Sequence, residues 1–251
     1  MRLILPALGA LALLAACSGQ SGEVAAPDAI DRMEKAEVEA IVKEYLIREP
    51  EVLIAAFGEL EKREAAIKVA KAEALWPELL KAKDDPVLGR ADAPITIVEF
   101  TDYNCGFCKS ATPWVMNHVD DQRGDIRFII KESAVRGANS ELAARAALAA
   151  HRQGKYREMH IALMKVPANA YTQETIDRIG RSVGLDLDRM NKDMADKALH
   201  DIVARHVDEF DRAGLDGTPG FFVNGKYVAG FDTQSLEALI ASERETARKG
   251  G

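Results

Sequence analysis

Long hydrophobic runs, cysteines and basic clusters are all scarce in this 251-residue chain. No apolar run reaches the roughly 20 residues that a membrane-spanning helix needs, so the multi-span membrane classes are excluded. Lys and Arg number 33 against 40 Asp and Glu, a net charge of −7, and no basic run reaches the length of a nucleic-acid patch. Without that electrostatic footprint nucleic acid is not an expected partner. Three cysteines are too few for a disulfide-stapled scaffold, and each needs its own explanation. What remains is a composition of 47% hydrophobic and 29% charged residues, close to the globular average, which supplies a packed core. The length fits one large domain, or a medium domain with an appendage.

The first cysteine sits in a targeting segment. Arg2 is the only charged side chain before Glu23, and Leu3 to Ala16 is a short apolar run. That pattern reads as a signal peptide over residues 1–16. Its end, Leu14-Ala15-Ala16-Cys17, resembles the lipobox of bacterial lipoproteins. The resemblance implies cleavage before Cys17 and lipidation of its thiol, and Ser18 next to it favours the outer membrane of a Gram-negative cell. An ordinary cleavage site that contains a cysteine, or a thiol free to pair elsewhere, is the alternative. Either way the chain is exported to a compartment where disulfides persist.

Residues 17–27 have no periodicity and read as a flexible tether. A helical region is expected over 28–84. Val38, Ile41, Val42, Tyr45 and Leu46 share one helix face until Arg48-Glu49-Pro50 interrupts, and Leu53, Ala56, Phe57, Leu60, Ile67 and Ala74 stripe a second helix. Pro50 suits that helix's first turn, where its missing N–H leaves no bond unmade. The heptad companions decay to Arg63 and Glu64, so a long coiled coil is poorly supported. Two such helices either associate with other copies of the chain or pack on the domain that follows.

That domain is expected over residues 85–251. Ile95 to Phe100 is a β-branched run that reads as a buried strand, and Cys105-Gly106-Phe107-Cys108 follows it directly, ahead of a helical stretch from Lys109 to Asp121. Two thiols on a helix's first turn can close a small disulfide ring. The positive helix end lowers the pKa of the first. Cys105 is then the exposed nucleophile and Cys108 the resolving thiol. A C-x-x-C is also half of many zinc sites. There is no second cysteine pair and no histidine beside the motif, so no metal is expected.

Downstream come a second strand, Asp125 to Lys131, and a helical region with periodic segments at Leu142–His151, Tyr156–Met164, Thr172–Val183 and Leu199–Arg212. Thr218-Pro219 then precedes a strand, a hairpin turn at Asn224-Gly225, a return strand and a final helix from Ser235 to Arg248. Trp114, Met116, Met159 and Met164 are assigned to the core. In this order the elements resemble the thioredoxin-fold thiol oxidoreductases of the DsbA family, and within it the ScsC and Com1-type periplasmic proteins, which carry a helical N-terminal region. The matching stretches are Tyr45 to Phe57, Asp85 to Gly89, Val98 to Cys108, Lys131-Glu132 and Gly217-Thr218-Pro219.

The implied fold class is α/β, a thioredoxin fold with a helical insertion at about 138–213, preceded by a helical oligomerisation region. The resemblance further implies a cis Thr218-Pro219 bond facing the active disulfide, substrate contacts at Gly106, Phe107, Thr218 and Pro219, and no cofactor beyond the Cys105/Cys108 redox pair. A plain trans-Pro on an edge strand is the alternative. By position Glu99 lies beneath the disulfide and, with Lys131 as neighbouring cation, would take the proton of Cys108; a solvated pair at strand ends is the alternative. Ser133-Ala134, where relatives often have Phe-Pro, and Gly220 depart from the family pattern, which would alter the substrate groove without removing a catalytic atom. The expected function is thiol-disulfide exchange, as isomerase or oxidase, on cysteine-containing exported proteins. The chain would work with a membrane redox partner, on the periplasmic side of the envelope, as a lipid-anchored homo-oligomer. A copper(I)-binding module using the same thiols is the alternative from another class.

Overall fold

The computed structural model describes residues 34–81 and 83–250. Residues 1–27, expected as signal peptide and tether, lie with Cys17 outside the described residues. Among these no helix is long and apolar enough to cross a membrane.

Two helices come first, α1 (Lys35–Arg48) and α2 (Glu51–Ala74), separated at Glu49-Pro50. α1 buries no residue, and α2 buries only Ala72. The chain divides into two compact units between Glu59 and Leu60, inside α2. In the first unit the apolar stripe faces outward: Ile41 is 56% and Phe57 63% exposed.

The second unit continues with α3 (Trp76–Leu79), β1 (Val87–Gly89), β2 (Ile95–Thr101), α4 (Gly106–Val119) and β3 (Ile126–Glu132). Five helices follow before the sheet resumes: α5 (Ala138–Arg152), α6 (Tyr156–Met164), α7 (Gln173–Ser182), α8 (Leu187–Met194) and α9 (Lys197–Ala213). The chain closes with β4 (Gly220–Val223), β5 (Lys226–Ala229) and α10 (Thr233–Gly250). The strands form one mixed sheet in the order β1-β3-β2-β4-β5. β2 runs parallel to β3 and antiparallel to β4, and all seven of its residues are buried. A strand covered on both faces reads as an unbroken β-branched run, which is why it is visible in the sequence. At the β4–β5 hairpin Asn224 and Gly225 both have positive φ, as an Asn-Gly turn requires.

Alternation along β2 and β3 sorts the core into two layers. Ile95, Ile97, Ile126, Phe128 and Ile130 pack with α4, the inserted helices and Leu236 and Ile240 of α10. Val98, Phe100, Ile129 and Phe222 pack on the other side with Ala72, Leu75, Leu79 and Phe210. Only the last turn of α2, through Ala72, thus reaches the core of the larger unit. Met159 and Met164 are buried as expected, and Trp114 packs edge-on against Phe128, Phe221 and Phe231. β1, α3 and α8 carry too few residues to show a period of their own; α3 and α8 fall inside the regions expected to be helical, and β1 is not expected.

Candidate functional site

The turn between β2 and α4 is tied from several directions. Asp102 is buried, and its Oδ1 accepts from the Asn104 amide at 2.7 Å and from Ser140 Oγ at 2.7 Å, while Oδ2 accepts from the Arg136 amide at 3.0 Å. Its carbonyl accepts the Cys105 N–H at 3.0 Å. Asn104 reaches outward from this turn, accepting from the Asn169 amide at 2.7 Å. Asp102 and Asn104 therefore anchor the residue before α4 to the inserted helices.

Cys105 is the N-cap of α4, in an extended conformation (φ −86°, ψ 119°). Its Sγ donates to the carbonyl of Thr218 at 3.0 Å, and the Thr218-Pro219 bond is cis. The two motifs, separated by the whole insertion in sequence, meet at one sulfur atom. Cys105 and Cys108 are both free thiols. The expectation of an exposed nucleophile does not hold: Cys105 is 1% and Cys108 0% exposed. The Thr218 segment covers Cys105, and Phe107, at 70%, is the side chain of the motif that faces solvent.

The two thiols are driven apart electrically. The Cys105 pKa falls to about 5, chiefly through a hydrogen bond from the Cys108 thiol, helped by the Thr218 side chain and the Cys108 and Phe107 amides and opposed by burial. These amides are the unpaired donors of the helix N-terminus. Cys108 is pushed far above the ordinary thiol range by burial, by its bond to Cys105 and by the charge of Glu99. In the thiol state the buried Thr218 hydroxyl has no partner.

Glu99, on β2, is 1% exposed, and burial raises its carboxyl to about 8, with the Thr101 hydroxyl pulling down and a Cys105 thiolate adding to the rise. Its Oε2 has no hydrogen-bond partner. Lys131 is not its neighbour, which corrects the expected pair. The register sets Lys131 opposite Phe100 and Glu99 opposite Ile130, so the two side chains leave opposite faces of the sheet. Lys131 Nζ instead bridges Asp85 at 2.6 Å and Glu209 at 2.8 Å. Asp85 also accepts from His206 Nε2 at 2.8 Å and from Arg205 at 2.9 Å. The Glu132 amide donates to His206 Nδ1, which leaves the ring proton on Nε2. The cluster is closed on itself and ties the segment before β1 to α9.

The residue that sequence reasoning missed on the Glu99 face of the sheet is Glu132. It lies opposite Thr101, hence on the Glu99 face, and is fully buried. Its Oε1 accepts from Tyr103 at 2.8 Å and from Tyr156 at 2.6 Å. His160 Nδ1 lies 2.9 Å from the Tyr103 hydroxyl. Burial raises Glu132 to about 8 and lowers His160 to about 4. The available signal was parity: in a buried strand ending Ile130-Lys131-Glu132, the acid and not the lysine shares a face with Ile130. Among the described residues no group of three or more His, Cys, Asp or Glu is arranged to hold a metal ion.

Known proteins show the same parts in the same order. Residues 96–241 match the family described as DSBA-like thioredoxin domain, and residues 34–66 match the copper resistance protein ScsC N-terminal domain. A thioredoxin-like oxidoreductase from Silicibacter pomeroyi has 36% identity and a TM-score of 0.61, covering 66% of this chain and 96% of its own. A linker-deletion variant of Proteus mirabilis ScsC, at 23% identity, has a TM-score of 0.63 and covers 86% of this chain and 98% of its own. Among curated proteins, the Na(+)/H(+) antiporter NhaA 3 of Salinispora tropica is 32% identical over 167 residues, which is 65% of this chain. The chain spans about a quarter of that relative's length (25%), so the likeness concerns one part of the antiporter. The catalytic-domain match, the sheet order and the helical insertion agree: this chain belongs to the DsbA-like thioredoxin family.

Proposed function

We propose that this chain carries out thiol-disulfide exchange on exported, cysteine-containing proteins of the cell envelope, as an isomerase or oxidase. The observation that carries the reading is the Cys105 sulfur at a helix N-terminus, bonded to the carbonyl that precedes cis-Pro219. As a thiolate, Cys105 attacks a client disulfide; a new S–S bond forms and the client's second sulfur leaves as thiolate. In isomerisation a client thiolate then attacks the mixed disulfide and Cys105 leaves unchanged. If Cys108 attacks instead, its proton passes to Glu99, the Cys105–Cys108 bond closes, and the client is reduced by two electrons. Oxidation runs the same steps backwards, with Glu99 returning the proton to Cys108. Phe107, Gly106, Thr218 and Pro219 line the approach of the client chain.

A thiolate stable to about pH 5 is a good leaving group. That lies below the value of about 7 typical of reducing thioredoxin and favours oxidase or isomerase work. The outward apolar stripe of α1 and α2 supports self-association, which would hold several active thiols around one client. Lipid attachment at Cys17 would keep the assembly at the outer membrane, with a membrane redox partner resetting the thiols. The test is turnover of a scrambled disulfide substrate. Cys105→Ser should abolish it, and Cys108→Ser should accumulate mixed disulfides. Turnover that survives Cys105→Ser overturns the reading; no turnover together with stoichiometric copper(I) binding replaces it with the metal-binding alternative.

A further inference from the structure

Glu132 has no part in the exchange described so far, yet it is buried on the same face of the sheet as Glu99. We infer that Glu132 is a second proton-holding carboxylate of the exchange site: it and Glu99 share one proton, and the hydroxyls of Tyr103 and Tyr156 set which of the two carries the charge. The inference rests on the reading of Glu99 as the proton acceptor of Cys108.

Geometry carries it. Glu99 and Glu132 stand on adjacent parallel strands and on one face of the sheet, because Glu132 is opposite Thr101, two residues along from Glu99. Each has a buried Oε2 with no hydrogen-bond partner. An ionised carboxylate left so in a dry interior is unfavourable, and two of them side by side more so, since like charges at one site cannot both ionise readily. The two acids differ in their donors. Glu132 Oε1 receives two phenol hydrogen bonds, at 2.8 and 2.6 Å. That fork favours the charge on Glu132 and leaves the proton with Glu99, ready for a departing Cys108 thiolate.

The groups facing the pair reinforce this arrangement. The charges of Glu99 and Asp102 both press on Glu132, and that of Glu99 also presses on Cys108 of α4. From α6, Tyr156 donates to Glu132, and His160, held neutral by burial, closes the far side of the tyrosine fork. From α9, His206 meets only the Glu132 main chain, and Lys131 is on the other face with Asp85 and Glu209. For resolution the shared proton first leaves Glu99 for solvent; Cys108 then gives its proton to the ionised Glu99, its sulfur attacks the Cys105 sulfur of the mixed disulfide, the bond to the client breaks, and the client sulfur leaves as the thiolate that carries the charge. When the oxidised pair is attacked, Glu99 protonates Cys108 and the pair's negative charges are restored to two until a proton is regained from solvent.

The experiment is the pH dependence, from 5 to 9, of resolution of a mixed disulfide between Cys105 and a cysteine-containing peptide, followed by stopped flow on the full chain. The parent rate should rise as Glu99 ionises. Glu132→Gln removes the like charge and should move that midpoint down by about one pH unit or more. Tyr156→Phe weakens the fork but keeps the carboxylate, and should move it in the same direction. Packing damage alone would lower the rate without moving the midpoint. Glu99→Gln should abolish the rise. If Glu99→Gln leaves the profile unchanged, the acceptor reading fails. If it flattens the profile while both other variants keep the parent midpoint, the shared proton alone fails. Carbon-13 NMR of the glutamate carboxyls in the unmutated protein gives a reading that needs no variant: two signals should titrate above pH 6 along mutually biphasic curves, and a Glu132 signal titrating alone below pH 5 overturns the inference.

Discussion

At Cys105 the thiolate, not the thiol, completes its surroundings. The Thr218 hydroxyl is buried with no acceptor while Cys105 holds its proton, and it is among the groups that lower the thiol's pKa. A hydrogen bond to a charged group is worth about 1.5–3 kcal/mol. Thr218→Val keeps the shape of the side chain and removes the donor, so the Cys105 pKa should rise by about 1 to 2 units. Thiolate absorbance at 240 nm, titrated in parent and variant, reads this directly. Coincident curves would leave the cysteine-to-cysteine bond and the helix amides as the whole cause. Enclosure adds a separate effect: because Cys105 is 1% exposed, a bulky alkylating reagent should react more slowly than its low pKa alone implies.

Among the elements, α2 does two different things along its length. Its first part, with α1, presents apolar side chains to solvent, while Ala72 and the following Leu75 sit beneath β2 at 1% and 7% exposure. Deleting the chain through Glu59 should therefore give a monomer by sedimentation that still exchanges a small disulfide but isomerises a scrambled protein poorly. Extending the deletion through Leu75 strips the core, and the lost Leu75 side chain alone should remove about 2–5 kcal/mol of stability. An oligomer that survives the shorter deletion would take the association role away from these helices. The sequence made β2, α6, the C-x-x-C helix start and Thr218-Pro219 legible, because each has a period or a motif contained within it. It could not show that only the last turn of α2 is buried, since the stripe Leu53, Leu60, Ile67 and Ala74 runs the length of the helix while Ile67 is still 68% exposed. Nor could it pair Lys131 correctly. Which strand residue faces which depends on the register between β2 and β3, and shifting that reading by one residue sends a side chain to the other layer.

For the molecule as a whole, the buried ionisable groups oppose one another in pH, and redox state decides the balance. Burial pushes Asp85 up, but the hydrogen bond and charge of His206, the charge of Lys131 and the bond from Arg205 together hold it well below the ordinary carboxylate range. Its contribution is present above the unfolded value near 4 and is lost as pH falls below it. Glu99 and Glu132, both raised to about 8, behave in the opposite sense. Their contribution is complete below pH 4.5 and is lost as pH rises through 8, because the folded protein keeps protons that the unfolded chain has released. Cys105, lowered to about 5, adds stability as pH rises from 5 towards the unfolded thiol value near 8.5, but only as a free thiol. In the oxidised protein that compensation is absent. Its unfolding free energy should fall between pH 6.5 and 8 by about 1.4 kcal/mol per pH unit for each proton held. The reduced protein should fall less steeply, so the gap between the two forms should widen with pH in favour of the reduced one. Urea unfolding of both forms at half-unit intervals measures this. A widening gap makes the protein progressively more oxidising towards its clients, as a stabilised reduced form must; a gap that stays constant from pH 5 to 8 would mean that Cys105 carries no thiolate in that range.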